Sequence, residues 1–319
     1  MDQGDTLKLG ISSCLLGNNV RYDGQHARDS WLVETLGKYV TYVPVCPEVE
    51  CGLPIPREAM RLVGDVDWPR LLTTKTGVDH TQRMLDFCHR RIPGLVSAGL
   101  CGFVFKSKSP SSGMERVKVY PEGGGMSQKK GVGLFAREFM RALPLLPCEE
   151  EGRLHDPVLR ENFIERIFIM QRWRQLQSKP FSGKTLVEFH TRHKLLLMAH
   201  SPLIYRELGK LVAAVAHYKP EQFSDLYLTQ LMRATAYPAT ASKHQNVLQH
   251  IMGYFKKELS ASEKAELLDL FAAYKAHQIP LIVPVTLLNH YVRKYGQPYL
   301  AEQYYLNPHP LELALRNHV

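Results

Sequence analysis

Three polar loops in the first half of the chain carry most of the side chains that could do chemistry. Residues 12–17 contain Cys14, residues 45–58 contain Cys46, and residues 106–116 contain several serines beside glycine and proline. A cysteine in such a loop is a core filler, a metal ligand or a reactive thiol. The loops are therefore candidates for a common ligand-binding site.

The elements before these loops explain how they could meet. Apolar, β-rich runs at residues 7–13, 39–45 and 102–106 read as buried strands, and residues 30–38 and 76–91 have helical spacing between them. This alternation predicts an α/β domain with a parallel, Rossmann-like sheet. The carboxyl ends of parallel strands share one edge of the sheet, where ligands bind, so the three loops should converge there.

The rest of the chain predicts a second domain. Asp156 and Pro157 form a capping pair before an amphipathic stretch at residues 158–176, which we take as a connecting helix. The boundaries that follow are 1–150 for the α/β domain, 151–182 for the connecting helix and linker, and 183–319 for an all-α domain. Helices are expected near residues 185–198, 202–217, 227–237, 242–258, 262–277 and 283–295.

Composition narrows the class of protein. The 319 residues are 45% hydrophobic and 22% charged, and no apolar run is long enough to span a membrane. Residues 1–5 lack the features of a signal peptide, so we expect a cytoplasmic protein whose six cysteines do not form structural disulfides. The net charge of +9 is compatible with an anionic partner such as a nucleotide or RNA, although many basic proteins have none.

The motifs in the three loops resemble those of one family. S-x-C-L-L-G and V-R-Y-D-G lie at residues 12–24, C-P-E-V and P-R-E at residues 46–58, and K-x-x-S-P-S-x-G at residues 106–113. This set resembles the thiouracil desulfidases (DUF523), in a longer form fused to a YbgA-type domain (DUF1722). Residues 243–256 and 280–284 carry the second resemblance.

The resemblance implies a [4Fe–4S] cluster with three protein ligands and one open iron. Two of the ligands map onto Cys14 and Cys46, whereas the third family cysteine falls at Ser112. Ser112 is a deliberate cysteine-to-serine replacement or a natural oxygen ligand, or else Cys101 or Cys51 has taken over the iron. Since a hydroxyl is a poorer ligand than a thiolate here, the first two cases predict a labile or absent cluster.

The implied activity is removal of sulfur from a thiolated uracil, as the free base, the nucleoside or its monophosphate, with release of sulfide. Glu48 is the candidate base that activates water, although a carboxylate after Pro47 could instead stabilise a helix N-terminus. Ser109 and Ser111 could hydrogen-bond the pyrimidine or relay a proton. Ser13 could orient the same site.

A different class of function is also compatible with the sequence. An RNA- or tRNA-binding module with a structural or redox-sensing cluster would use the basic charge and the helical domain, where tRNA contact is conceivable. Arg57, Lys106 and Lys108 could receive a nucleotide phosphate or form a solvated face. The histidines of the helical domain lack the spacing of a helical zinc site and are expected to be core or surface residues. The sequence gives no indication of the oligomeric state.

Overall fold

The fold is described from a computed structural model covering residues 7–180, 182–310, 313 and 315–318. The N-terminal residues used above to argue against a signal peptide, and Phe181 of the linker, lie outside this range. The chain divides into two compact units, residues 1–156 and 157–319. Each is described by itself.

The first unit contains two sheets and three α-helices among its described residues. The strands are β1 (Leu7–Ser12), β2 (Val40–Val45), β3 (Met60–Gly64), β4 (Pro69–Thr73), β5 (Gly102–Phe105), β6 (Val117–Tyr120), β7 (Gln128–Gly131) and β8 (Cys148–Glu150). The helices are α1 (Pro47–Glu50), α2 (Thr81–Ser97) and α3 (Leu134–Ala142).

The first sheet is the predicted parallel one. Its order is β2-β1-β5-β8, and every neighbouring pair is parallel. Leu9 and Ile11 of β1 are fully buried, and all four residues of β5 are buried, as expected for a sheet covered on both faces. On one face, Phe103 packs against Phe139 of α3 with ring centroids 4.8 Å apart. The three predicted strands are thus confirmed, with their ends moved by no more than one residue.

The second sheet was not predicted. Its order is β4-β3-β6-β7, with β3 and β6 parallel and the two outer pairs antiparallel. The expected helix at residues 30–38 is instead a π-helical turn, Trp31–Thr35, followed by a 3-10 turn, Leu36–Lys38. The expected helix at residues 76–91 starts later, at Thr81, because the preceding residues complete the β4 turn.

The second unit is helical, as predicted. Its helices are α4 (Pro157–Gln177), α5 (Gly183–His200), α6 (Pro202–Ala213), α7 (Pro220–Ala234), α8 (Ala241–Met252), α9 (Ala261–Lys275), α10 (Ile282–Lys294) and α11 (Pro298–Ala301). Trp173 and Tyr227 stack in its core with centroids 5.3 Å apart. A capping box at Ser260 and Glu263 begins α9. In the described part of the chain, no helix is long and apolar enough to cross a membrane.

Candidate active site

The three loops meet at a cavity of about 440 Å³ beside the carboxyl edge of the first sheet. This volume lies in the range of small-molecule sites. Each loop follows a strand of that sheet, so the convergence predicted from the parallel topology occurs. The predicted site residues that line the cavity are Ser13, Cys14, Cys46, Glu48, Ser109, Ser111 and Ser112.

The two thiols come from neighbouring strands. Cys14 lies on the 3-10 turn after β1, and Cys46 lies between β2 and α1. Burial raises the pKa of the Cys14 thiol to about 11, although Lys106 opposes the shift, and burial also raises the pKa of Cys46. The Cys46 thiol lies 3.8 Å from the carbonyl oxygen of Val20. Bound to metal, both would act as thiolates, since metal binding displaces the thiol proton.

Ser112 provides a third possible metal ligand at the same cavity. Its residue is only 4% exposed, its backbone N–H donates to Ser109 Oγ at 3.1 Å, and its own hydroxyl makes no hydrogen bond to any described residue. Across the described ranges, no group of three histidine, cysteine, aspartate or glutamate side chains could hold a metal ion. The possible metal ligands at the cavity are therefore the thiols of Cys14 and Cys46 and the hydroxyl of Ser112. A cluster with three protein ligands at this place would need the Ser112 oxygen as its third ligand.

The structure does not bring the suggested substitute cysteines to the cavity. Cys101 precedes β5, and its N–H donates to the Lys8 carbonyl at the amino end of the sheet. Since each strand residue advances about 3.3 Å, Cys101 lies on the order of 15 Å from the loop that follows β5. Cys51 follows α1 as its C-cap residue, and its thiol donates to the backbone oxygen of Glu48 at 3.1 Å. Neither residue lines the cavity.

A chain of hydrogen bonds links residues 106–116, which we call the serine loop, to Glu48. Ser111 Oγ donates to Glu48 Oε1 at 2.7 Å, and Ser109 Oγ lies 3.0 Å from Ser111 Oγ. The Ser111 proton is used toward the carboxylate, so Ser109 is the donor in the second bond. The order Ser109, Ser111, Glu48 can carry a proton away from the cavity to the carboxylate. Ser13, in contrast, accepts a hydrogen bond from Asn18 at 2.8 Å.

Arg57 has a role that the sequence did not reveal. It was expected to bind a phosphate or to lie on a solvated face. Instead, two N–H groups of its guanidinium donate hydrogen bonds to Glu48 Oε2, at 2.8 and 2.5 Å. It also donates to the carbonyls of Val20 and Pro54. The Arg57 and Glu48 side chains are 6% and 13% exposed, so the pair is largely shielded from water. The nine-residue gap between them in sequence gives no sign of this contact.

Two glycines allow the serine loop to pack closely. A Cβ added to Gly133 would lie 2.5 Å from the backbone carbon of Ser111, and one added to Gly113 would lie 2.8 Å from the Ser109 carbonyl oxygen. Lys106, the first residue of this loop, pairs with Glu151, and Lys108 is exposed with a left-handed φ of 61°. The ion pair of Lys106 with Glu151 thus fixes the start of the loop, and the close approach of Gly133 to Ser111 fixes its middle.

The described part of the second unit contains a buried ionic network. Arg316 pairs with Glu161 at 3.2 Å and with Glu165 at 2.9 Å, and His200 lies 3.0 Å from Glu165. Burial alone would raise the pKa of Glu165, but the His200 hydrogen bond and the Arg316 charge lower it below its usual value. Burial also lowers the pKa of His244 to about 3, so this residue is a neutral core histidine at physiological pH.

Two family models match separate parts of this chain. The 2-thiouracil desulfurase family model matches residues 9–151, and the model of the protein of unknown function DUF1722 matches residues 194–310. The uncharacterized protein YbgA of Escherichia coli (strain K12) is 29% identical over 153 residues, 48% of this chain and 90% of that protein. A solved structure described as the [4Fe-4S]-dependent thiouracil desulfidase TudS has 29% identity, covers 47% of this chain and 94% of that chain, and gives a TM-score of 0.39. The chain joins a domain of the 2-thiouracil desulfurase family to a DUF1722 domain.

Proposed function

We propose that the first domain is an iron–sulfur-dependent desulfidase acting on a thiolated uracil, as the free base, the nucleoside or its monophosphate. The reaction replaces sulfur by oxygen: the thiocarbonyl compound and water give the carbonyl compound and hydrogen sulfide, without net oxidation or reduction. The observation that carries the proposal is one cavity that contains both the metal-donor set and the hydrogen-bonded chain to Glu48. The match to the 2-thiouracil desulfurase family supports it.

Cys14, Cys46 and Ser112 would hold a [4Fe–4S] cluster at this cavity. When bound, the cluster would supply a thiophilic Lewis acid beside the substrate. The oxygen ligand at residue 112 is weaker than the family cysteine, so we expect a cluster that is lost readily in air. A reducing cytoplasm, as predicted from the sequence, would suit such a site.

The residues of the chain then manage the proton and the pyrimidine. Water attacking the thiocarbonyl carbon must lose a proton, and the chain through Ser109 and Ser111 delivers it to Glu48. Arg57 fixes the carboxylate, so its free lone pairs keep their direction during the reaction. Tyr22 lines the cavity with a half-exposed ring, which offers an apolar face for the flat pyrimidine.

A purely structural cluster in an RNA-binding module has less support. Such a cluster has no use for a proton relay leading into its cavity, and the Glu48 chain is that kind of relay. In the helical unit, the Lys243 ammonium donates to the His200 carbonyl at 2.7 Å, and His244 is buried and neutral. Contact of this unit with tRNA therefore stays a hypothesis.

Turnover of thiolated uracil compounds tests the proposal. The protein is reconstituted anaerobically with iron and sulfide and given 2-thiouracil, 4-thiouracil and 4-thiouridine monophosphate, and thiocarbonyl absorbance and free sulfide are followed together. We expect one sulfide per thiocarbonyl lost, and a strong loss of rate in Glu48→Gln. Glu34→Gln, at an exposed ion pair with Arg28, is the matched control and should keep full activity. A cluster-loaded protein that converts none of the three compounds would refute the proposal.

A further inference from the structure

A second cavity lies wholly within the helical unit. Its volume is about 140 Å³, and its walls come mainly from α4, α8 and the end of α9. Cavities of about 150 Å³ admit a ring of the size of benzene, so this one has room for a single small ring. We call it the histidine cavity, and its polar lining consists of Glu161, Asn162, Glu165, His200, His244, Tyr274, His277 and His318.

The charged groups beside this cavity neutralise one another. Glu165 lies between Arg316 and His200, at 2.9 and 3.0 Å, and Arg316 also donates to Glu161 at 3.2 Å. The second nitrogen of His200 lies 2.9 Å from the Tyr237 carbonyl oxygen, so both ring nitrogens face acceptors. The ring is positively charged when both nitrogens donate. Two carboxylates then face two cations, and a charged ligand would find no unpaired counter-charge, which favours a neutral ligand.

His244 supplies a hydrogen-bond donor to the cavity. The residue is 7% exposed, and its Nδ1 lies 3.1 Å from the hydroxyl oxygen of Tyr305, which is fully buried. That hydroxyl has no other partner among the described residues, so its proton is donated to Nδ1. The neutral ring then carries its hydrogen on Nε2, for which the described part of the chain provides no acceptor. A buried donor without a partner indicates a ligand oxygen in the cavity.

Two acceptors lie on the α4 wall of the cavity. Asn162 is 8% exposed and donates through Nδ2 to the Thr235 carbonyl at 3.1 Å, whereas its Oδ1 has no partner within the described ranges. Glu161 Oε2 lies 3.6 Å from His318 Nε2, which is longer than a hydrogen bond. Burial raises the pKa of Glu161, and a ligand N–H at Oε2 would stabilise the carboxylate and lower the pKa again.

The unpartnered groups define the ligand by its hydrogen bonds. The donor of His244 requires a carbonyl oxygen, and the acceptors of Asn162 and Glu161 require two N–H groups. A cyclic ureide, which is a ring with a carbonyl between two N–H groups, provides all three. It is also neutral, and a single ring of this kind matches the volume of the cavity.

We propose that the histidine cavity binds a small, neutral cyclic ureide, with its carbonyl oxygen on His244 and its N–H groups on Asn162 and Glu161. The hydroxyl of Tyr274, which is half-buried and has no partner among the described residues, supplies one more hydrogen bond. This site does not depend on the proposed function of the first domain, because every residue that lines it belongs to the helical unit.

Calorimetric titration of the full chain with imidazolidin-2-one, without a reconstituted cluster, tests the proposal. We expect a single saturable site. The N,N′-dimethyl derivative keeps the carbonyl but lacks both N–H groups, so it should bind about tenfold more weakly. Methylguanidinium has the N–H groups but carries a positive charge and no carbonyl, so it should also bind more weakly. Uracil presents the same ureide edge, and its affinity relative to imidazolidin-2-one shows whether the cavity prefers a pyrimidine or a saturated ring.

Single substitutions show where the probe binds. His244→Phe removes the donor and should weaken binding about tenfold. Tyr274→Phe removes only a hydroxyl without a partner in the described ranges, so it should fold normally and weaken binding about threefold. This variant covers the case of a poorly folded His244→Phe.

Two control variants should bind the probe as the wild type does. Tyr218→Phe removes a hydroxyl from another half-buried tyrosine of the helical unit, outside the cavity, and Glu48→Gln changes the candidate site of the first domain. Loss of binding in Glu48→Gln, or equal affinities for Tyr274→Phe and Tyr218→Phe, would overturn the proposal. The same holds if no saturable binding occurs at millimolar probe, or if the dimethyl derivative or methylguanidinium binds as tightly as imidazolidin-2-one. None of these results bears on turnover by the first domain, because the titration contains no cluster and no thiolated compound.

Discussion

Replacing Ser111 by alanine removes the middle of the proton relay. Ser111 is only 1% exposed, and its hydroxyl is the group that joins Ser109 to Glu48. Alanine leaves space for no more than the lost oxygen, so water is a poor substitute there. The carboxylate itself stays fixed, because both hydrogen bonds from Arg57 remain.

The structure separates the effect on stability from the effect on rate. One hydrogen bond to a charged acceptor is lost, which costs about 1.5 kcal/mol of unfolding free energy while Arg57 still holds Glu48. Positioned acid–base groups contribute about 10²- to 10⁴-fold to a rate, so kcat should fall by that range, or about 3–5 kcal/mol of barrier. Activity is therefore expected to drop far more than stability.

The assay is single-turnover loss of thiocarbonyl absorbance, normalised to the iron content of each preparation. Ser111→Ala, Glu48→Gln and the double variant form a cycle. Because the two groups act in one relay, the double variant should lose about as much rate as the worse single variant. Additive losses, or a Ser111→Ala rate within threefold of wild type at equal iron content, would refute the relay.

Two further substitutions test the loop packing and the helical unit. Gly133→Ala drives a methyl group into the Ser111 backbone and should cost about 1–3 kcal/mol in thermal unfolding and about 10²-fold in rate, whereas Gly123→Ala, with nothing within 4 Å, should do neither. Arg316→Met leaves two buried carboxylates without their cation and should cost about 3–5 kcal/mol in denaturant unfolding. Arg192→Met, at an exposed 3.4 Å pair, should cost at most about 1 kcal/mol. Equal effects of the two glycine substitutions would contradict the argument about loop packing. Equal effects of the two arginine substitutions would contradict the argument about the buried ionic network.

The sequence was sufficient for the parts of the fold that depend on local pattern. The strand around Phe103 is a continuous apolar run, and the strand around Leu9 is apolar apart from Lys8 and Ser12, as is typical of a doubly covered parallel sheet. The shared edge of these strands predicted the meeting of the loops. The second sheet was missed because β6 and β7 are only four residues each and carry lysines on their exposed face. Short, charged strands give a weak alternation signal.

The contacts of single side chains were harder to predict. Arg57 looked like a surface cation, and only the folded chain shows that it closes on Glu48 from beyond the helix α1. Cys101 and Cys46 are equally plausible ligands by residue type, but one precedes its strand and the other follows one, so they belong to opposite edges of the sheet. Whether a cysteine lies at the candidate site thus depends on the end of the strand that it occupies, and residue type alone does not show this.

Iron and acid-labile sulfide per chain, measured after anaerobic reconstitution of single variants, test the central claim most directly. The account predicts about four irons in the wild type and in Cys101→Ala, loss of the cluster in Cys14→Ala and Cys46→Ala, and slower loss in air for Ser112→Cys than for the wild type. A cluster that survives Cys46→Ala but disappears in Cys101→Ala would contradict it.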